Sequence, residues 1–336
     1  MKLADATVYR CPQTREPLTL EIAEERDGEI VRGTLKSPNG ASYAIDRGIP
    51  DLAYPPVLPD ADAFARKIYD SVADVYDEYL PLTFMTFSCK EEDARNHMVD
   101  RLRVAPGQTI LEVGAGTGRT SKVIADRMHG SGHVYIHDIS RGILERAVEK
   151  LSSEKIERSY VLSNAVYLPF PDSYFDGLFH FGGLNMFSDL RRAMAEMVRV
   201  VKPGGRIVVG DESVPPWLRE TTYGKILMNS SSHYASSLPL DALPMEARDV
   251  VIEYIIGGVF YLMSFTVGEG EPVADFDFEI PGARGGTHKT RYYGQLEGVS
   301  MEAKELAQRA QKQRGISMHK WLDEAVRGAA LRDLKK

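Results

Sequence analysis

The sequence predicts an α/β fold: a doubly wound, seven-stranded, mostly parallel sheet, with a small N-terminal β module and a C-terminal helical appendage. Three observations predict it. Ile110-Leu111-Glu112-Val113 is an apolar run of strand character that breaks into Gly114-Ala115-Gly116-Thr117-Gly118 and then enters a helical stretch. His133-Val134-Tyr135-Ile136-His137 reads as a second strand closed by Asp138, twenty residues after Gly118. Val198 to Lys202 leaves a helix, turns at Pro203-Gly204-Gly205 and runs into a strand ending at Gly210. Strands alternating with helical stretches build parallel βαβ units, and ligands of such sheets sit outside the carboxyl ends of the strands.

The remaining elements follow in order. Residues 1–55 read as a β module, and Pro55-Pro56-Val57-Leu58-Pro59 as a stiff linker, since each proline fixes φ and removes a donor. Residues 60–102 read as helical, with Ile68, Val72, Val75, Tyr76 and Tyr79 on one side. Val161 to Ala165 ends a third strand, and Phe175 to His180 gives a fourth. Residues 213–246 are the expected substrate lid. Met245 to Asp249 reads as a helix turn, followed by an antiparallel pair, 250–254 and 259–265, joined through Gly257-Gly258. Residues 268–298, with Arg284 to Lys289 in the middle, form a Gly/Pro-rich strap. In 299–336, Gly315-Ile316-Ser317 separates two helices, Ser317 being an N-cap.

The pattern E-x-G-x-G-x-G at 112–118, followed by Asp138, Asn164-Ala165 and the Pro-Gly-Gly turn, resembles class I S-adenosylmethionine-dependent methyltransferases over residues 68–266. The domain is expected to span 60–267 and to be Rossmann-like. Tyr69 to Asp77 resembles the first helix of the C-methyltransferases of ubiquinone and menaquinone biosynthesis. That resemblance implies S-adenosylmethionine as cofactor, bound by Glu112, Gly114, Ala115, Gly116, Gly118, Asp138, Ile139, Asn164 and Ala165. Backbone N–H groups of 114–118 would meet the cofactor's carboxylate, and Glu112 its ammonium. Asp138 would take the ribose hydroxyls, because a carboxylate offers only acceptors. Asn164 would accept from the adenine amino group, with Ile139 and Val166 on the two faces of the ring. Cys11-Pro12-Gln13-Thr14 and Asn39 to Pro50 resemble a zinc ribbon that accompanies methyltransferases. Thr14, Lys36 and Asn39 occupy its other three ligand positions, so no metal is expected.

Catalysis of methyl transfer rests mainly on alignment, and a base is needed only where the acceptor must lose a proton. His180, at the end of the fourth strand, and Tyr76 are the candidates, with Tyr223, His233 and His288 in flanking segments. Gly182-Gly183 suggest close backbone approach, and Asp211-Glu212-Ser213 a polar patch within reach of substrate. The leading reading is transfer to carbon or oxygen of a small, partly apolar acceptor. The alternatives are an RNA-base methyltransferase and a non-catalytic S-adenosylmethionine-binding regulatory or assembly protein.

Charge and composition narrow the partners. A net charge of −7 over 336 residues argues against a wide nucleic-acid surface. Residues 301–336 carry nine Lys/Arg against five Asp/Glu, and their two helices are the candidate homodimer contact. The absence of an eighteen-residue apolar run predicts no membrane span. Two cysteines and an N-terminus without the apolar core of a signal peptide lead us to expect a cytoplasmic protein.

Overall fold

The computed structural model describes residues 1–281, 285–293 and 299–335. Met1–Glu271 and Pro272–Lys336 are separate compact units. The first begins with α1 (Leu3–Val8) and a four-stranded antiparallel sheet of β1 (Thr19–Arg26), β2 (Glu29–Lys36), β3 (Ser42–Asp46) and β4 (Ile49–Pro50). Asp27 and Gly28, both at positive φ, close the β1–β2 hairpin as a two-residue turn whose twist suits the strands.

Three helices follow: α2 (Asp60–Val72), α3 (Tyr76–Thr86) and α4 (Glu91–Leu102). The expected single-sided stripe is corrected here. Ile68 and Tyr79 are exposed, while Asp62, Ala65 and Phe84 are buried. The chain bends at Ala73 to Val75, so residues on either side belong to different helices and share no continuous face. Pro81 lies inside α3 and cannot donate to the Asp77 carbonyl four residues back.

The large sheet runs β10-β11-β9-β8-β5-β6-β7. Its parallel strands are β5 (Thr109–Val113), β6 (His133–Asp138), β7 (Glu157–Leu162), β8 (Phe175–Phe181) and β9 (Val201–Glu212). Between them lie α5 (Arg119–Arg127), α6 (Arg141–Leu151) and α7 (Leu190–Val200); α8 (Thr222–Ser230) follows β9. β10 (Ala247–Ile255) and β11 (Phe260–Val267) are antiparallel, joined through Gly257-Gly258. The helix turn expected at 245–249 is strand from Ala247, with a bulge between Arg248 and Val251. Pairing with β11 overrides the local preference.

β5 is covered on both faces, so four of its five residues are buried, as a central parallel strand requires. The two sheets share one core. Tyr9, Cys11 and Leu35 pack in the same cluster as Leu111, Tyr135 and Phe170, and Leu52 N–H donates to the Leu162 carbonyl at the end of β7. The strand order reverses at β5, opening a crevice between the ends of β5 and β8.

The second unit holds α9 (His288–Tyr293), α10 (Met301–Arg314) and α11 (Met318–Asp333). Gly315 ends α10 in the left-handed region, and the Ser317 side chain accepts from Lys320 N–H, as its sequence position predicts. Arg284 and residues 294–298 of the strap lie outside the described residues. Among those described, no helix is long and apolar enough to cross a membrane.

Candidate active site

The crevice is a cavity over the carboxyl ends of β5, β6, β8 and β9, roofed by α2 and α3. Gly114, Gly116 and Gly118 all have φ between +57° and +79°. A Cβ on Gly114 would lie 3.2 Å from the His180 ring, and one on Gly116 3.7 Å from the Tyr76 ring. The loop therefore leaves a cradle beneath Tyr76 that any side chain would begin to fill.

The donors of that cradle are corrected against expectation. Gly114 N–H donates to His137 Nδ1 (3.4 Å), Ala115 N–H to the His137 carbonyl (2.9 Å), and Gly116 N–H to Asp138 Oδ2 (2.9 Å). Gly118 N–H donates to the Ala115 carbonyl. These bonds fix the loop's shape and engage the N–H groups of Gly114, Ala115, Gly116 and Gly118. A Cβ on Gly118 would meet Leu151 of α6 at 2.7 Å. The expected cofactor contact at Gly118 is therefore corrected: it packs on α6 and is not among the residues lining the cavity. Asp138 also accepts from Ser140 N–H at 2.9 Å, and burial raises its pKa to about 6. It lines the cavity with acceptor capacity left over for a ribose.

Glu112 is buried and accepts from the Ser121 hydroxyl. Burial pushes its pKa up to about 8, the response expected of a desolvated carboxylate without a full counter-charge. Arg95, which also lines the cavity, donates to Thr120 Oγ1 (2.6 Å) and Glu91 Oε1 (2.7 Å). A cationic group suits Glu112, and an anionic one the Arg95 side. Ile139 and Ala165 supply the apolar wall near Asp138, whereas Val166 is buried away from the cavity.

Asn164 lines the cavity, but its side chain is engaged. Oδ1 accepts from Val166 N–H (3.0 Å) and Nδ2 donates to Asp62 Oδ2 (2.9 Å). That oxygen keeps a second lone pair, and through its Nδ2 bond to Asp62 the side chain also anchors α2.

Asp62 belongs to a set that sequence reading missed. It also accepts from Ser188 N–H and Oγ. Asp70 Oδ1 accepts from Ser140 Oγ (2.6 Å) and Gly142 N–H (3.2 Å). Asp77 accepts from Thr117 Oγ1 (2.7 Å), Arg119 Nε (2.9 Å) and Lys150 Nζ. Against a burial cost that would raise it, these bonds from Lys150, Thr117 and Arg119 pull the Asp77 pKa down to about 2. Arg119 also donates to the Asp77 carbonyl that Pro81 leaves free. Three aspartates thus pin α2 and α3 over the cavity. Their only sequence signal is acidity at 62, 70 and 77 in an otherwise amphipathic stretch.

His180 is buried, and its Nδ1 donates to the Val113 carbonyl at 2.8 Å. Among the described residues its Nε2 has no partner, and burial pushes its pKa below the usual range. His137, also missed, lines the same cavity. Burial, reinforced by His180, pushes its pKa down to about 3. Tyr76 and Tyr69 lie edge to face, their centroids 6.1 Å apart, and burial raises Tyr76 to about 12. His233 lines the cavity, the one expected lid residue to do so. Tyr223 instead donates to the Gly257 carbonyl at 2.9 Å, and His288 belongs to the second unit, packed on Phe276.

Residues 59–223 match the model of the ubiE/COQ5 methyltransferase family. The chain is 35% identical over 158 residues to the ubiquinone/menaquinone biosynthesis C-methyltransferase UbiE of Proteus mirabilis, covering 46% of this chain and 62% of that one. It is 31% identical over 152 residues to the corresponding enzyme of Bordetella parapertussis, covering 45% and 58%. The chain thus spans about three fifths of the length of these curated relatives. Among solved structures it is similar to Haemonchus contortus phosphoethanolamine N-methyltransferase 2 in complex with S-adenosylmethionine. The TM-score is 0.48 at 14% identity, covering 68% of this chain and 64% of that one. Residues 59–223 are thus similar to the ubiE/COQ5 methyltransferase family, over just under half of the chain.

Proposed function

We propose that the protein transfers a methyl group from S-adenosylmethionine to carbon or oxygen of a small, partly apolar acceptor. One observation carries this reading: a single cavity runs from the Gly114–Thr117 cradle to a wall of Phe84, Phe181, Phe187, Ile256 and Phe260. Glu112, Asp138 and Ile139 would hold the amino-acid, ribose and adenine parts of the cofactor. When bound, the sulfonium supplies an electrophilic methyl group. The chain's own residues exclude water and align the acceptor, which is worth about 7–11 kcal/mol in well-oriented reactions.

Tyr76, over Gly116, and His180, beside Gly114, are the cavity residues at the reacting end. The apolar wall and the C-methyltransferase relatives favour a small molecule over RNA. The test is incubation with methyl-tritiated S-adenosylmethionine and a cell extract. Label is expected in organic-soluble small molecules. Label confined to RNA, or cofactor binding with no label transferred to any pool, would reject this reading.

A further inference from the structure

We propose that the protein forms a two-fold dimer in which β10 of one copy pairs antiparallel with β10 of a second, with Ile252 on the axis. This inference is independent of the reaction and of its acceptor.

The argument starts from the edges of the two sheets. The four-stranded sheet ends at β1 and the seven-stranded sheet at β10, while their other ends meet through the bridge between Asp51 and Leu162. An open edge offers a row of free N–H and C=O groups to another strand, so folded proteins guard it with charge, bulges or cover. β1 is guarded. Glu21, Glu24, Glu25 and Arg26 lie along it, and two register shifts interrupt it between Ile22 and Glu25.

β10 carries no such guard in its middle. Val250, Val251 and Ile252 are consecutive, uncharged and exposed. Successive side chains of a strand point to opposite faces, so this stretch is apolar on both. Among the described residues, the backbone of 249–254 hydrogen-bonds to β11 and to nothing else. Trp217 is exposed and packs edge to face on Tyr254, their centroids 5.3 Å apart. Tyr254 and Ile252 share a face, so Trp217 widens the apolar strip there. Large aromatic side chains of this kind anchor protein interfaces.

Charge selects the occupant. The chain carries −7, so two copies repel except where the local charge is balanced. At β10 it is balanced: Arg248 and Asp249 are neighbours in the chain, and Glu253 accepts two hydrogen bonds from Arg101. A strand that pairs with Val250-Val251-Ile252 must itself be uncharged at its centre. Of the two open edge strands among the described residues, β10 alone meets that condition, so a second copy supplies the partner.

Charge also fixes the register. An axis at Val251 would set Asp249 of one copy against Glu253 of the other, and an axis at Glu253 would set that residue against itself. Like charges directly opposite one another are destabilising. An axis at Val250 would centre the contact on the bulge between Arg248 and Val251, where the strand bends. With the axis at Ile252, that residue faces its own copy, Val251 faces Glu253 and Val250 faces Tyr254. No like charges meet. Each copy spends its one unguarded edge, so the assembly closes at two chains and does not grow into a fibre.

The test uses the full chain in sedimentation velocity over a range of concentrations. Wild type is expected to associate into a dimer. Ile252→Lys brings two lysines together on the axis and should raise the dimer dissociation constant by roughly 10²-fold or more. Trp217→Ala should raise it by roughly tenfold. Ile22→Lys, at an exposed position on the guarded edge, should leave it unchanged. Thermal melts followed by circular dichroism establish that each variant is folded. A second measurement does not depend on a disruptive variant. Residues directly opposite in an antiparallel pair have Cα atoms about 4.5–5.5 Å apart, within disulfide reach. Mild oxidation should therefore link Ile252→Cys into a covalent dimer, and should not link Ile22→Cys. Wild type, with Cys11 buried and Cys89 partly so, sets the background. A wild type that stays monomeric at every concentration overturns the inference. So does a dimer that folded Ile252→Lys leaves intact, which would put the contact on another surface, and so does equal cross-linking through positions 22 and 252.

Discussion

His180 Nδ1 donates to the carbonyl of Val113 across 2.8 Å, tying the end of β8 to the residue before the glycine loop. On the other side His137 Nδ1 accepts from Gly114 N–H. Two buried imidazoles from the strands flanking β5 thus grip one peptide unit from both sides. Gly114 has φ +62° and a Cβ there would sit 3.2 Å from His180, so the grip requires glycine.

Replacing His180 by alanine should strand the buried Val113 carbonyl and leave a gap beside Gly114. The expected cost is about 1–3 kcal/mol of stability, read by urea denaturation. His180→Asn retains a donor for that carbonyl. If His180 serves the loop alone, Asn should recover both stability and S-adenosylhomocysteine affinity, and turnover with them. Restored stability without restored turnover would instead assign the ring to the reaction.

Asp138→Ala removes the acceptor expected at the ribose together with the bonds to Gly116 and Ser140. Lost hydrogen bonds to a charged group cost about 1.5–3 kcal/mol, so affinity for S-adenosylmethionine should fall by roughly tenfold or more. Unchanged binding by calorimetry would refute the ribose assignment.

Asp77 links α3 to the loop through Thr117, Arg119 and Lys150, and Arg119 completes the attachment at the carbonyl freed by Pro81. Asp77→Ala should loosen the roof of the cavity. We expect faster dissociation of S-adenosylhomocysteine in stopped-flow measurements, with a smaller effect on association. A dissociation rate equal to wild type would show that the roof holds without this latch.

Glu112, with its pKa at about 8, is largely protonated at pH 7. A cationic ammonium beside it favours the ionised form, so cofactor binding near neutral pH should release a proton and tighten as pH rises toward 8. Calorimetry in two buffers of different ionisation enthalpy reads the proton directly, and Glu112→Gln should abolish it. In the unliganded protein the raised pKa gives a contribution to stability that is full below about 4.5 and lost as pH rises through 8. Wild type should therefore weaken relative to Glu112→Gln across that window. Parallel stability curves for the two proteins would contradict the assigned shift.

Much of the fold was legible in the chain itself. The segments 110–113, 133–137 and 175–180 read as strands because they are short, rich in apolar β-branched and aromatic residues, and bounded by turn residues, as strands buried on both faces require. The glycines at 114, 116 and 118 marked the loop because positive φ excludes most side chains. The bend between α2 and α3 was not legible, nor was the early start of β10, since neither follows from local periodicity.

Local pattern alone, then, set the order of the strands, the glycine loop and the acidic end of β6. Which polar groups are already spent was decided only by tertiary structure. Asn164 bonds Asp62, 102 residues away in the chain, and Thr117 bonds Asp77, 40 residues away. Burial likewise turns Glu112, His137 and Glu212 from ordinary residues into shifted ones. Desolvation and hydrogen-bond partnership depend on what surrounds a side chain in three dimensions, and no one-dimensional pattern contains them.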